Sequence, residues 1–259
     1  MIESDGLSKE YDSHAAVDHL DLSIEAGAIY GFLGPNGAGK TTTIEMLTTL
    51  LPPTDGHATV AGHSISDREA VKPHIGYLPA EPPVYDAYSG REQLEYVGRL
   101  RGLDAEEASA QADSLLARVG LLDSADRRID TYSTGMRQKV GLLQTMLHDP
   151  AVIFLDEPTT GLDPRAAREV VDLITELSDD GTTVFLSTHI LPVVDEIADR
   201  IGVLHEGSLV AEGSPESLKR RLSEGNTQTL ERAFLDLTDD DAHLAADAET
   251  QPVADGGAP

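Results

Sequence analysis

The chain has 259 residues, of which 40% are hydrophobic and only 4% aromatic, and it contains no Trp and no Cys. That length holds one or two domains with a sizeable core, which Leu, Ile, Val and Ala must fill; disulfides and thiolate metal sites are excluded. A formal net charge of −27 repels phosphate-rich surfaces, so general binding to nucleic acid or anionic lipid is disfavoured.

The N-terminus MIESDGLSKEYD carries no signal-peptide pattern, and no apolar run reaches the ~18 residues that a membrane span needs. A soluble, cytoplasmic chain is expected, held at any membrane only through a partner. The first eighty residues read as short strands, one helix and turns. AIYGFLG (Ala28–Gly34) is an apolar run ending in Gly, the pattern of a buried strand. A helix is expected over Thr41–Leu51, stopped by Pro52-Pro53. HATVAGHSI (His57–Ile65) reads as an edge strand or hairpin arm.

Between strand and helix lies GPNGAGKTT, which fits G-x-x-x-x-G-K-[ST] at Gly34–Thr41 in the context that pattern requires. Gly34, Gly37 and Gly39 let backbone N–H groups curl round phosphate oxygens, with Pro35, Asn36 and Ala38 completing the loop. Lys40 neutralises β/γ-phosphate charge, the Thr41 hydroxyl suits Mg²⁺, and Thr42 suits a contact to an α-phosphate.

From Ser89 to His148 the pattern changes to amphipathic helices with no strand between them, a helical insertion over about 84–150. Within it, YSTGMR (Tyr132–Arg137) sets a small hydroxyl beside a glycine at a helix start, which resembles a second anion site. Sheet character returns in VIFLDE (Val152–Glu157) and TTVFLSTH (Thr182–His189), separated by a helix over Arg165–Ser178. This βαβ unit predicts parallel strands. Its first strand delivers Asp156, suited to Mg²⁺ through water, and Glu157, suited to general-base work on an attacking water. His189 ends the second strand, where it can reach a γ-phosphate. IGVLHEGSLVAEG (Ile201–Gly213) reads as a hairpin turning at Glu206-Gly207. A last helix is expected within residues 223–238 (Thr227–Leu237 by pattern). The polar, acidic residues 239–259 cannot bury enough apolar surface to order themselves.

In order, GPNGAGKTT, YSTGMRQKV, VIFLDEPTTGLDP and STH resemble an ABC-type ATPase, the nucleotide-binding subunit of ABC transporters, over about residues 2–222. The resemblance implies an α/β fold: a P-loop core with a mostly parallel sheet, an N-terminal antiparallel β subdomain and a helical insertion subdomain. It makes Ser133 and Gly135 the signature loop, Gly161-Leu162-Asp163 the D-loop, His189 the switch histidine and Tyr11 the aromatic that stacks on adenine. It implies ATP and Mg²⁺, and a homodimer in which the phosphate loop of one subunit faces the signature loop of the other. Two loops in one chain then serve two different ATP molecules. It also implies a separate membrane permease, met by the PPVYDAYSG loop, with YSTGMRQKV and LERAFLDLT similar to export-type systems.

One position departs from the family: in Ile75–Glu81, IGYLPAE, Ala80 stands where Gln is usual, and Glu81 replaces it only if the loop shifts by one residue. A soluble ABC factor of translation or repair is disfavoured by the single ATPase unit and the acidity. A GTPase is disfavoured by the lack of an N-K-x-D-like element. The Asp-rich surface, with Lys at only five of nineteen basic positions, resembles those of salt-loving archaea, where concentrated salt screens self-repulsion.

Overall fold

A computed structural model describes residues 1–12 and 14–221. The helix expected over Thr227–Leu237 and the acidic segment after it lie outside the described residues. The chain opens with β1 (Ile2–Tyr11), β2 (His14–Ile24) and β3 (Ile29–Leu33), then α1 (Lys40–Leu47), β4 (Asp55–Val60), β5 (His63–Ser64) and the short α2 (Arg68–Val71). β6 (Ile75–Leu78) leads into α3 (Gly90–Leu100), α4 (Ala105–Arg118) and α5 (Thr134–Met146). The chain continues with β7 (Val152–Asp156), α6 (Pro164–Asp179), β8 (Thr183–Thr188), α7 (Leu191–Ile197), β9 (Arg200–His205), β10 (Ser208–Gly213) and α8 (Pro215–Arg221).

Two sheets result. The first is antiparallel, in the order β2-β1-β4-β5; the second has six strands in the order β10-β9-β3-β8-β7-β6. In the second, β9, β3, β8, β7 and β6 are parallel and only β10 runs antiparallel, at one edge. The α/β class expected from the sequence is the one observed. β3, β7 and β8 are buried along their whole length, which is why they read as continuous apolar runs rather than as alternation.

Successive side chains of a strand point to opposite faces, and the core divides accordingly. Ile153, Leu155, Val184 and Leu186 join α5 and α6 in one cluster. Tyr30, Phe32, Phe154 and Phe185 face the other way, packing with Leu7, Val17 and Leu20 of the antiparallel sheet and with Ile44 and Leu47 of α1. Three of the chain's four Phe meet there, with the rings of Phe32 and Phe154 both tilted against Phe185 at centroid separations of 5.1 and 5.6 Å.

The helical insertion is present as α3, α4 and α5. α3 and α4 open with complete capping boxes, Ser89 with Glu92 and Asp104 with Glu107, which satisfy backbone donors the first turn leaves free. α1 is shorter than expected, ending at Leu47 instead of Leu51. The Thr48 hydroxyl folds back to the Ile44 carbonyl at 2.7 Å and Thr49 takes a left-handed φ of 63°, so side-chain competition for the backbone ends the helix before the prolines. The β9–β10 hairpin turns at Glu206-Gly207 as expected, with φ of 45° and 80°. No described helix is long and apolar enough to cross a membrane.

Candidate active site

The phosphate loop bridges β3 and α1, held from behind by other strands. Gly39 has φ 106°, and a Cβ placed there would lie 2.2 Å from the Ala16 carbonyl oxygen; one on Gly34 would lie 2.5 Å from that of Leu204. Only glycine permits both approaches. The β9–β10 turn clamps the loop, with the Gly207 N–H donating to the Ala38 carbonyl at 3.0 Å and the Asp18 N–H donating to the Gly207 carbonyl at 2.9 Å.

In front of the loop is a cavity of about 200 Å³ lined by Asn36, Gly37, Lys40, Thr41, Asp156 and Glu157, with Thr42 and Ala80 also on its wall. Lys40 is 6% exposed. Its ammonium donates to the carbonyls of Gly34 at 2.8 Å and Pro35 at 3.2 Å and lies 3.4 Å from Glu157 Oε1.

The acid pair arrives from β7. Asp156 is 2% exposed. Its Oδ2 accepts from the Thr41 hydroxyl at 2.8 Å and its Oδ1 from the buried Ser187 hydroxyl on β8. Glu157 follows with φ 49°, a left-handed conformation uncommon outside glycine, and its backbone N–H donates to the Ser187 carbonyl. Its Oε2 accepts from the His189 Nδ1 at 2.9 Å and the Thr160 hydroxyl at 3.0 Å. Its Oε1 is buried without a hydrogen bond. Burial alone would raise the Glu157 pKa, but the His189 hydrogen bond, the Lys40 and His189 charges and the Thr160 hydroxyl outweigh it and hold the carboxyl below its ordinary value.

Phosphate chemistry fits this cavity: a glycine loop admits no Cβ, a buried ammonium has only carbonyls and one carboxylate for partners, and a carboxylate oxygen lacks a donor. A hydroxyl and a carboxylate 2.8 Å apart are hard oxygen donors of the kind Mg²⁺ takes. No group of three or more His, Cys, Asp or Glu forms a cation site among the described residues.

Ser133, Gly135 and Asp163 do not line this cavity. Ser133 caps α5, accepting from the Met136 N–H at 3.2 Å, and Asp163 caps α6, accepting from the Arg165 and Ala166 N–H groups at 3.0 Å. A Cβ on Gly135 would lie 2.7 Å from Ala166 Cβ, so glycine lets the starts of these two helices meet. Tyr11 is 47% exposed, with the Lys9 ammonium 5.4 Å from its ring centre. It pairs across the hairpin with His14, which lines a neighbouring cavity beside Asn36 and Gly37. Ala80 faces the phosphate cavity, whereas Glu81 is exposed and is not part of its lining. Sequence reasoning missed Ser187 and Thr160. Both sit within quoted motifs, STH and EPTTGLD, but nothing local marks either hydroxyl as the partner of a carboxylate.

Sheet order, phosphate loop and acid pair together define a P-loop ATPase. The profile described as "ABC transporter" matches residues 17–160. The daunorubicin/doxorubicin resistance ATP-binding protein DrrA of Streptomyces peucetius is 45% identical over 222 residues, covering 85% of this chain and 67% of that protein. The bacitracin transport ATP-binding protein BcrA of Bacillus licheniformis is 37% identical, over 85% of this chain and 72% of its own length. Among solved structures, an ATP-binding subunit of an ABC transporter superposes with a TM-score of 0.82 at 27% identity, over 92% of this chain and 99% of that one. A dimeric ATP-binding cassette bound to ADP and Pi, at 23% identity, shares the fold with a TM-score of 0.76 over 83% of this chain and 98% of its own. The chain belongs to the ABC transporter family as one of its ATP-hydrolysing subunits, in the drug- and antibiotic-export branch.

Proposed function

We propose that two copies of this chain close around two ATP molecules and that hydrolysis reopens them, driving export by a separate membrane permease. The observation that carries this reading is the separation of the site. Lys40, Asp156 and Glu157 share one cavity, while Ser133, Gly135 and Asp163 stand outside its lining at the starts of α5 and α6. Each ATP then lies between the phosphate loop of one subunit and the signature loop of the other.

In this reading the loop amides and Lys40 hold the phosphates, Tyr11 stacks on adenine, and Thr41 and Asp156 hold Mg²⁺, whose chemistry is to neutralise charge on the phosphates. Glu157 accepts the proton of the attacking water. The water oxygen bonds to the γ-phosphorus and ADP leaves with the electron pair of the broken P–O bond. His189 holds Glu157 Oε2. When Lys40 turns to a phosphate it gives up its place beside Glu157 Oε1, which removes one of the charges that depress that carboxyl's basicity.

The acidic, Lys-poor surface supports a further reading, of a protein adapted to concentrated salt. The central assignment is tested by Glu157→Gln, which keeps shape but removes the proton acceptor. ATP affinity is retained and turnover falls by about 10²–10⁴, with an ATP-bound dimer accumulating. Steady-state hydrolysis and nucleotide binding measured together check this, and near-normal turnover would remove Glu157 as the base.

A further inference from the structure

Asp156 and Ser187 are neighbours by register. β7 and β8 run parallel, with Phe154 opposite Phe185 and Asp156 opposite Ser187. Residues two apart on a strand share a face, so the row of packed rings on that face ends in a carboxylate beside a hydroxyl. Ser187 is fully buried, and a buried hydroxyl without a partner is costly. The other two hydroxyls of β8 serve the backbone: Thr183 accepts from the Gly27 N–H at 2.9 Å and Thr188 from the Ile190 N–H at 3.0 Å. Ser187 instead donates to a side chain, at Asp156 Oδ1.

The two oxygens of Asp156 are therefore held from two different elements. Oδ2 accepts from the Thr41 hydroxyl of α1 at 2.8 Å and Oδ1 from β8. The carboxylate cannot turn about its Cβ–Cγ bond without breaking one of these bonds, so its plane is fixed before anything binds. Thr41 and Asp156 line the phosphate cavity, whereas Ser187 does not. Ser187 also accepts from the Glu157 N–H, at its carbonyl at 3.0 Å and at its hydroxyl at 3.3 Å. One residue behind the cavity wall thus holds both acids.

We propose that Ser187 is a positioning residue for Mg²⁺: its hydroxyl fixes the orientation in which Asp156 meets the metal of Mg²⁺–ATP. The inference rests on the reading of Thr41 and Asp156 as the residues that hold Mg²⁺. That ion demands near-ideal octahedral geometry, so the aim of each oxygen near it matters. Removing a group that orients a metal-holding side chain from behind typically costs about 10–100-fold in metal affinity. A serine that merely filled space between strands would have no such metal dependence.

The test titrates the full chain with a non-hydrolysable ATP analogue, once with Mg²⁺ and once with a chelator in its place. The ratio of the two affinities is internal to each variant, so a loss of folded protein does not move it. Ser187→Ala removes the hydroxyl and keeps the carbonyl that holds the Glu157 N–H. Affinity in chelator is expected to hold, while the gain from Mg²⁺ falls by about tenfold or more. The Mg²⁺ concentration that half-saturates ATP hydrolysis rises by a similar factor. Ser187→Thr returns the hydroxyl and with it the gain. Asp156→Asn is the reference and is expected to lose most of the gain. A gain in Ser187→Ala within about twofold of wild type, beside its loss in Asp156→Asn, overturns the positioning role and leaves the metal reading standing. Equal losses of affinity with and without Mg²⁺ in Ser187→Ala overturn it too, making Ser187 a packing residue. A full gain in Asp156→Asn overturns both readings.

Discussion

At Gly39 the physical demands are unusually explicit, because positive φ and a backbone oxygen 2.2 Å from any Cβ coincide. Gly39→Ala therefore strains the loop or displaces β2. Backbone strain of this kind costs about 1–3 kcal/mol, and each kcal/mol lowers the melting temperature of a domain this size by roughly 2–4 °C. The expected outcome is a lower melting temperature together with weakened ATP binding, read by thermal denaturation and nucleotide titration. An unaffected ATP affinity would mean that the loop tolerates the methyl group by moving as a unit. Ala80 shows the same dependence on single side chains from the opposite direction. Its methyl group on the cavity wall offers neither a metal ligand nor a hydrogen bond to water, and the exposed Glu81 stands apart from the lining.

Among the elements, the helical insertion is tied to the core by α6. Arg118 of α4 reaches Glu176 and Asp180 at 3.1 and 3.0 Å, and Lys139 of α5 reaches Glu169 at 2.5 Å. The helix starts carry two different kinds of residue. Asp104 caps α4 on the exposed side of the insertion, accepting from Glu106 and Glu107 N–H at 2.9 Å, whereas Ser133 caps α5 and is also the residue proposed to face the nucleotide of the other subunit. Asp104→Ala is expected to cost about 1 kcal/mol of stability and to leave ATP turnover unchanged. Denaturant unfolding alongside an ATPase assay separates the two effects; a fall in turnover would tie this helix start to the catalytic cycle. The strand elements were legible in the sequence because complete burial leaves a continuous apolar run. The end of α1 was not, because the Thr48 hydroxyl and the left-handed Thr49 stop it before the prolines do.

For the whole molecule, charge and symmetry carry the expectations. A surface at −27 repels itself in dilute buffer and is screened at high ionic strength, where the Debye length falls to about 3 Å at 1 M. The melting temperature is expected to rise steeply from dilute buffer to molar KCl. A flat response would remove the halophilic reading and leave the ATPase assignment intact. The two-loop arrangement is tested by mixing Lys40→Ala with Ser133→Arg. Each homodimer carries a defect in both sites and is expected to be inactive. In a mixed dimer one site joins both defects, while the other joins an intact phosphate loop to an intact signature loop. ATP hydrolysis by co-purified, differently tagged subunits should recover in part, given that a single intact site turns over. If both residues served one ATP within a chain, mixing would restore nothing.

Spacing along the chain was sufficient for the phosphate loop, the buried strands, the parallel βαβ unit and the Glu206-Gly207 turn. Each is written in neighbouring residues: a fixed glycine pattern, an apolar run, or a change of period. What only the tertiary structure decided was which side chains meet. Ser187 reaches Asp156 across 31 residues, Glu157 gathers Lys40, Thr160 and His189, and Ala80 rather than Glu81 faces the phosphate cavity. These contacts follow from a strand order, β10-β9-β3-β8-β7-β6, that sets residues distant in the chain side by side. Local periodicity specifies how each element forms and which face it buries, but not which element will lie against that face.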